Sequence, residues 1–340
     1  MADKKIAFIG TGIMGAPIAG HIMDAGFDMT VYNRTKSKAE GLIGRGARWA
    51  DSVAEAAKDA DVVFTMVGYP QDVEDTYLAT EGLLRAAKKG AVLIDLTTSS
   101  PELARDIAEA AQVEGITAFD CPVTGGEAGA VAGTLTLIVG ATEADIEPVR
   151  DVLETFSSKI FCFGGPGKGQ AAKLANQVSL ASSMVGMADS LAFAQQMGLD
   201  VARVREMILG GTGATSALEV LGPKSLDGDW KPGFLVEHFI KDLGLALQAA
   251  EEKEITLPGA ETAFTLYDML DVIGGGRLGT QAITLLYQEE ADAVAAGLDW
   301  SKFTSQLEES DHDHDCGCGH DHGHDHGDGC GCGHEHHHGE

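Results

Sequence analysis

The chain has 340 residues, 44% of them hydrophobic, and a formal net charge of −28. This length suits two domains, no apolar run reaches the roughly 18 to 20 residues of a membrane helix, and the start leads into a strand rather than a signal peptide. We therefore expect a cytoplasmic protein. The negative charge disfavours nucleic acid and anionic membranes as partners and is compatible with an enzyme that binds a small anionic substrate.

From residue 1 to about residue 163, short β-branched runs alternate with helical segments. The predicted strands are residues 6–9, 29–32, 61–66, 91–96, 117–120, 135–139 and 160–163. Helices are expected between them, among them residues 101–113 and 144–156. This alternation is typical of βαβ units, so we predict an α/β domain with a mainly parallel sheet over residues 1–163.

The first predicted strand runs into a glycine-rich segment that opens a helix. The segment reads Gly10-Thr11-Gly12-Ile13-Met14-Gly15. Glycines at this spacing permit a tight turn and let backbone N–H groups face a pyrophosphate at the helix N-terminus. We predict a Rossmann-type domain in which these six residues bind a dinucleotide; an ordinary glycine turn is the alternative.

The end of the second predicted strand bears on the choice of cofactor. An Asp or Glu there would bond the ribose hydroxyls of NAD, but the chain has Asn33-Arg34-Thr35. Arg34 can pair with a 2′-phosphate, which a carboxylate would repel. We predict that NADP is preferred over NAD and that these three residues contact it; a solvated loop arginine is the alternative.

A second glycine-containing turn follows the strand that ends at Asp120. Backbone amides of Gly125 and Gly126, with the hydroxyl of Thr124, can converge there on a carboxylate beside the nicotinamide. The alternative is a plain hairpin turn. We predict a binding site for a small carboxylate substrate.

After residue 169 no further strands are predicted. The predicted helices are residues 170–197, 201–209, 234–253, 257–273 and 281–296. The first of them is long and apolar on most faces, which indicates a buried central helix and favours subunit contacts across it. We expect an all-α substrate and dimerisation domain over residues 164–300, in a homodimer or homotetramer.

One face of that long helix carries Lys173, Asn176 and Gln177, at positions i, i+3 and i+4. Burial of a lysine disfavours its charge and eases release of its proton at neutral pH. We therefore predict that Lys173 is a proton donor. A solvated lysine at the start of a helix is the alternative.

Four motifs in register resemble those of the β-hydroxyacid dehydrogenase family, which includes 3-hydroxyisobutyrate dehydrogenase and tartronate semialdehyde reductase. They are Gly10-Thr11-Gly12-Ile13-Met14-Gly15-Ala16-Pro17, Asp120-Cys121-Pro122-Val123-Thr124-Gly125-Gly126, Gly167-Lys168-Gly169-Gln170-Ala171-Ala172-Lys173-Leu174-Ala175-Asn176-Gln177 and Lys241-Asp242-Leu243. The resemblance covers residues from about 5 to about 288. Many family members have Ser at the position of Thr124 and Asn at that of Gln177, which keeps the hydroxyl and amide groups but affects pocket size. The segments Met66-Val67-Gly68-Tyr69-Pro70 and His238-Phe239-Ile240-Lys241-Asp242 are similar to a bacterial subgroup rather than to the best-known enzymes, so substrate identity does not carry over.

The resemblance implies hydride transfer between the nicotinamide and a small 3-hydroxy acid or its semialdehyde. Lys173 would be the general acid or base, Thr124, Gly125 and Gly126 would hold the carboxylate, and Asn176 or Gln177 would orient substrate and lysine. Further cofactor contacts would come from Val67, Gly68, Thr97, Thr98 and Lys241.

The last part of the chain, residues 301–340, differs in composition from the rest and is expected to be disordered. Its proposed ligands for Zn²⁺ or Ni²⁺ are His312, His314, Cys316, Cys318, His320, His322, His324, His326, Cys330, Cys332 and His334. A cloning remnant is the alternative, because three consecutive histidines near the end resemble an affinity tag.

Two further functions compete with a dehydrogenase. One is a catalytically silent cofactor-binding scaffold, which the presence of Lys173 disfavours, as it disfavours an imine reductase of the same architecture. The other is a protein whose main role is to bind metal through residues 301–340. The intact site residues in the rest of the chain make metal binding a secondary role at most.

Overall fold

In the computed structural model, which describes residues 4–302, the first part of the chain folds around a six-stranded parallel sheet. The strands are β1 (Lys5–Ile9), β2 (Asp28–Tyr32), β3 (Arg48–Trp49), β4 (Val62–Thr65), β5 (Val92–Asp95) and β6 (Thr117–Asp120). The helices are α1 (Gly15–Asp24), α2 (Glu40–Gly44), α3 (Val53–Ala57), α4 (Pro70–Leu78), α5 (Leu83–Ala86) and α6 (Pro101–Glu114), with a 3-10 helix at Lys36–Ala39. The strand order is β3-β2-β1-β4-β5-β6, so a ligand crevice is expected where the order reverses, between β1 and β4.

Side chains of β1 are buried on both faces of this sheet. Ile6 and Phe8 pack into a core that also contains Phe156, whereas Ala7 and Ile9 pack into a separate core on the opposite face. Burial on both sides is typical of parallel sheets and explains why the strand sequence is apolar almost throughout. The Rossmann-type domain predicted from the sequence is confirmed.

A second sheet of three strands follows. It contains β7 (Val123–Thr124), β8 (Leu135–Val139) and β9 (Ser157–Cys162), with helices α7 (Gly126–Ala132), α8 (Glu143–Ile146) and α9 (Arg150–Leu153). β7 pairs antiparallel with β8, and β8 pairs parallel with β9. The sequence did not predict that these strands separate from the parallel sheet. It also missed β3 and β7, because two residues are too few to show a pattern.

The helix predicted over residues 144–156 is wrong as a single element. The structure has α8, then a 3-10 helix at Glu147–Val149, then α9. Pro148 lies at the break, where it cannot donate the backbone N–H that a continuous α-helix requires.

The rest of the described chain is helical, which confirms the predicted all-α second domain. Its α-helices are α10 (Lys168–Gln196), α11 (Val201–Leu209), α12 (Gly222–Leu226), α13 (Val236–Glu251), α14 (Pro258–Leu270) and α15 (Glu290–Ala295). It also contains π-helical turns at Ala217–Leu221 and Asp271–Gly275 and a 3-10 helix at Thr280–Tyr287. Residues 281–296 are therefore not one helix as predicted, and the helix predicted over 257–273 ends at Leu270. The domain boundary near residue 163 stays a prediction.

The long helix α10 buries one stripe rather than most of its faces. Its buried positions recur every third or fourth residue, from Lys173 and Gln177 through Ala181 and Met184 to Leu191. The opposite side is open to solvent, where Phe193 is exposed. The predicted burial of this helix therefore holds for one face only.

The first turn of α10 is fixed to the parallel sheet by Asp120, the last residue of β6. Oδ1 of Asp120 accepts a hydrogen bond from Gly167 N at 2.8 Å, and Oδ2 accepts one from Gln170 N at 2.7 Å. Amide groups at a helix start have no partner inside the helix, so this buried carboxylate satisfies two of them. The contact requires very small neighbours, because a Cβ at Gly140 would overlap Oδ1 of Asp120.

We therefore expect Gly140→Ala to destabilise the protein by about 1–3 kcal/mol, since the new methyl group would push the Asp120 carboxylate away from α10. The measurement is the midpoint of thermal unfolding. Gly41→Ala is the matched control, because Gly41 lies in α2 with no atom near its absent Cβ, and it should be neutral or stabilising by at most about 1 kcal/mol. Equal midpoints for the two variants would contradict the proposed overlap.

Candidate active site

The glycine-rich segment joins β1 to α1 and is tied to the end of β2. Gly10 N donates to Tyr32 O at 2.9 Å, and Thr11 N donates to Oδ1 of Asn33 at 3.0 Å. Gly10 has φ +94° and lies against the backbone of Met66, so no side chain fits there. These contacts fix the backbone of the loop at the carboxyl ends of β1, β2 and β4.

The residues of this loop fit a bound pyrophosphate. The hydroxyl oxygen of Thr11 is buried and has no hydrogen-bond partner in the structure. No atom lies near the position that a Cβ of Gly12 would occupy, and no side chain caps the start of α1. Free amide groups at a helix start, next to open space and an unpartnered hydroxyl, are what an anionic ligand requires.

The predicted residues after β2 lie together at the edge of this loop. Nδ2 of Asn33 donates to Thr35 O at 2.9 Å, so the side chain of Asn33 links Thr35 to Thr11. The side chain of Arg34 is 81% exposed and donates from Nη1 to Oδ1 of Asp72 at 2.9 Å. Asp72 was not among the site residues predicted from the sequence.

The predicted contacts after β4 and β5 form a second part of the cleft. Val67 N donates to Oγ1 of Thr97 at 3.0 Å. Gly68 lies next to Asp72, and the ring of Tyr69 packs edge-on against His238 of α13 with 5.8 Å between ring centroids. The loops after β4 and β5 are therefore joined to each other and to the helical part of the chain.

Gln170, in the first turn of α10, holds the loop of residues 97–99. Its Oε1 accepts from Ser99 N at 2.9 Å and its Nε2 donates to Thr97 O at 2.7 Å, and all of these groups are buried. No role was predicted for Gln170 from the sequence. The available signal was its spacing of three residues from Lys173, which puts both side chains on one helix face.

The buried carboxylate of Asp95 also binds the loop of residues 97–99. Oδ1 of Asp95 accepts from Oγ1 of Thr65 at 2.7 Å and from Thr97 N at 3.1 Å. Burial raises the pKa of Asp95 to about 6, against the opposing effect of these hydrogen bonds. The carboxyl group of Asp95 is therefore more readily protonated than that of an exposed aspartate.

Lys173 is buried, with 7% of its surface exposed. Burial lowers its pKa to about 8, the nearby charge of Lys241 acts in the same direction, and the carboxylate of Asp242 opposes both. The reading of Lys173 as a solvated lysine is therefore excluded by its position. A lysine in this state can gain and lose a proton near neutral pH.

The amides predicted beside Lys173 belong to one chain of polar contacts. Nδ2 of Asn176 donates to Oε1 of Gln177 at 2.9 Å, and Nε2 of Gln177 donates to Oδ2 of Asp242 at 2.7 Å. Nζ of Lys241 lies 3.0 Å from Oδ1 of Asp242 and donates to Thr98 O at 2.6 Å. These contacts link α10, α13 and the loop of residues 97–99. Asp242 belongs to the motif Lys241-Asp242-Leu243 but was not predicted as a site residue.

The turn predicted to bind a carboxylate lies between the two domains. Thr124 ends β7, Gly125 has φ +130°, and Gly126 begins α7, so the segment is a strand-to-helix turn rather than a plain hairpin. A Cβ at Gly126 would lie 3.6 Å from the carbonyl oxygen of Gly233, in the helical part. The turn thus faces the domain that carries Lys173.

Among residues 4–302, no group of three or more His, Cys, Asp or Glu side chains is arranged to hold a metal ion. The predicted metal ligands from His312 to His334 lie outside the residues that the structure describes. The helices within the same described range include none with the length and apolar character needed to cross a membrane.

Comparison with known families gives two matches that together span most of the chain. A model described as the NAD binding domain of 6-phosphogluconate dehydrogenase matches residues 5–164. A model described as the NAD-binding domain of NADP-dependent 3-hydroxyisobutyrate dehydrogenase matches residues 167–287.

Similar individual proteins include two bacterial enzymes and one solved structure. The uncharacterized oxidoreductase YkwC of Bacillus subtilis is 44% identical over 84% of this chain and 99% of its own length. The NAD-dependent L-serine dehydrogenase of Pseudomonas aeruginosa is 38% identical over 78% of this chain and 92% of its own. The structure of 3-hydroxyisobutyrate dehydrogenase from Mycobacterium tuberculosis with L-serine has a TM-score of 0.78 and 32% identity, over 85% of this chain and all of that one.

Proposed function

Because this chain belongs to the β-hydroxyacid dehydrogenase family, we propose that it is an NADP-preferring enzyme that interconverts a small 3-hydroxy acid and its semialdehyde, with Lys173 as the acid or base. NAD(P)-dependent hydroxyacid dehydrogenase activity is supported by the two relatives that are named as dehydrogenases, from P. aeruginosa and M. tuberculosis. The choice of NADP, the substrate and the roles of individual residues are the parts that we propose.

The observation that carries the proposal is the buried ammonium group of Lys173. With a pKa lowered to about 8 by burial, it is poised to donate a proton to a substrate carbonyl oxygen and to remove one from a hydroxyl. When bound, the nicotinamide supplies or accepts the hydride. The chain itself contributes the proton transfer and the orientation of the substrate.

We assign the substrate carboxylate to the turn of Thr124, Gly125 and Gly126. This turn offers a hydroxyl and backbone amides next to the helical domain, and it faces Gly233. The amide groups of Asn176 and Gln177 would orient the substrate, since both lie on the Lys173 side of α10 and Gln177 is fixed by Asp242.

The relatives narrow the class of substrate. One is named an L-serine dehydrogenase, and the M. tuberculosis structure contains L-serine. L-Serine and 3-hydroxyisobutyrate both carry a hydroxyl on the carbon β to a carboxylate, which is the arrangement that the proposed site would hold. The direct test follows nicotinamide absorbance with a panel of 3-hydroxy acids and semialdehydes, using NADPH and NADH in parallel.

A catalytically silent scaffold is the second candidate, and the burial of Lys173 disfavours it, because a structural role would not require a desolvated cation.

We also propose that the protein is a cytoplasmic homodimer or homotetramer whose partners are small molecules rather than nucleic acid or membranes. The exposed apolar side chains of Phe193, Met197, Leu199 and Met207 support association through the α10 side of the helical domain.

We further propose that residues 311–340 bind Zn²⁺ or Ni²⁺ independently of hydride transfer. Thiolates two residues apart stand beside imidazoles in this segment, and both are ligands that these metals prefer. The Cys-x-Cys spacing is shorter than in zinc fingers and the segment is rich in glycine, which favours adaptable binding of several ions over one rigid site.

Arg34→Ala should weaken binding of NADPH about tenfold or more and leave NADH nearly unchanged, because one charge-assisted contact to the 2′-phosphate is worth roughly 1.5–3 kcal/mol. The measurement is the dissociation constant of each cofactor for the full-length protein. An equal loss for both cofactors would show that Arg34 only shapes the loop.

Lys173→Ala should retain cofactor binding and lose turnover by roughly 10² to 10⁴, because the lysine acts on the substrate oxygen and not on the dinucleotide. Lys168→Ala is the matched control, since Lys168 is an exposed lysine at the start of the same helix. Near-normal turnover of Lys173→Ala would remove the lysine from the mechanism and favour the scaffold.

The pH dependence of kcat/KM of the wild-type enzyme is a second test of the role of Lys173. Reduction needs the protonated lysine, so kcat/KM should fall as the pH rises through about 8. Oxidation needs the neutral amine, so its kcat/KM should rise over the same range. Profiles without opposite slopes near that pH would contradict the role of Lys173.

Truncation after Ser310 should remove most bound zinc or nickel, measured by elemental analysis, and leave turnover unchanged. A full-length variant with Cys316, Cys318, Cys330 and Cys332 changed to Ser is the control that separates thiolate from imidazole binding. If activity falls together with metal content, the tail belongs to the active site and the proposed independence is wrong.

A further inference from the structure

The guanidinium group of Arg34 is paired with a carboxylate that is itself held in place. Its partner Asp72 has a side chain only 22% exposed, against 81% for Arg34. The second oxygen of Asp72, Oδ2, accepts a hydrogen bond from Tyr69 N at 3.1 Å in the first turn of α4. The helix start therefore fixes the carboxylate, and Arg34 is the more exposed partner.

This ion pair crosses the end of β1. Arg34 follows β2, Asp72 follows β4, and β1 lies between these two strands in the sheet. The glycine-rich segment that begins at Gly10 leaves β1 at the same edge. The pair consequently spans the loop to which we assign the dinucleotide.

We propose that Asp72 is a specificity-determining residue that lowers the preference for NADP over NAD. The inference rests on the proposed pairing of Arg34 with the 2′-phosphate. A phosphate bound by Arg34 has to share the guanidinium with Asp72 or displace it, and in both cases it meets a fixed like charge. NAD carries a hydroxyl at this place and avoids the repulsion.

Asp72 also provides a negative charge that NAD-selective domains have at a different position, the end of the second strand. Dinucleotide-binding domains that select NAD commonly have a carboxylate at the end of the second strand, where this chain has Asn33. Asp72 supplies a carboxylate to the same edge from α4. Because exposed ion pairs are weak and screened by salt, the expected effect on cofactor selection is moderate, about three- to tenfold.

The test compares dissociation constants for NADPH and NADH in the full-length wild type and in Asp72→Asn. Asparagine keeps an oxygen for Tyr69 N and removes the charge, so NADPH should bind about three- to tenfold more tightly and NADH should be unchanged. Asp75→Asn is the matched control, because Asp75 is an exposed acid on the same helix that contacts Gln71 instead of Arg34. It should leave the ratio of the two constants as in the wild type.

The double variant Arg34→Ala/Asp72→Asn tests whether the two residues act together. Part of the gain in NADPH affinity from Asp72→Asn should be lost when Arg34 is absent, because competition for the guanidinium then disappears and only the direct repulsion between Asp72 and the 2′-phosphate remains. Should Asp72→Asn fail to fold, Asp72→Gln removes the same charge and places a favoured capping residue at the third position of α4.

An unchanged ratio in Asp72→Asn, an equal change for both cofactors, or the same change in Asp75→Asn would overturn the inference. Each of these results leaves the proposed cofactor site intact as long as Arg34→Ala still weakens NADPH selectively. If Arg34→Ala has no selective effect, the proposed pairing with the 2′-phosphate fails, and the inference about Asp72 fails with it.

Discussion

The carboxylate of Asp120 fixes the start of α10, the helix that carries Lys173. Its two oxygens accept hydrogen bonds from Gly167 and Gln170, in a buried position where unpaired amide groups would be costly. Burial raises the pKa of Asp120, while the backbone bonds oppose this effect by favouring the charged form. Lys173 follows one turn later, so its place beside the cofactor cleft depends on a contact made by the last residue of a strand.

The lowered pKa of Lys173 is the result of opposing electrostatic effects. Removal from water alone would favour the neutral amine strongly, whereas Asp242 provides a negative charge that retains the proton. Asp242 is held by Gln177 on one side and lies near Lys241 on the other. A buried charge is tolerated when such partners are present, and the pKa of about 8 lies where a proton can pass in either direction.

The sequence predicted the features that depend on local pattern. β-Branched runs identified most strands to within one residue, and their spacing placed Lys173 and Gln177 on one face of α10, which the structure shows to be buried at both positions. Interruptions within apolar segments, as at Pro148, were missed because helical periodicity continues through them. Partners remote in the chain were also missed: Gln177 and Asp242 are 65 residues apart, and such pairs leave no periodic signal in a single sequence.

The double attachment of Gln170 has a consequence for how the two domains can move. Its side chain bonds both Thr97 O and Ser99 N, while its own amide bonds Asp120. The bond from Gly167 to Asp120 is a fourth buried hydrogen bond at this place. A hinge at the start of α10 would have to break all four at once. Opening the cleft by swinging the helical domain about this joint would therefore cost all four bonds. We expect motions that admit substrate to involve side chains and loops at the rim of the cleft instead.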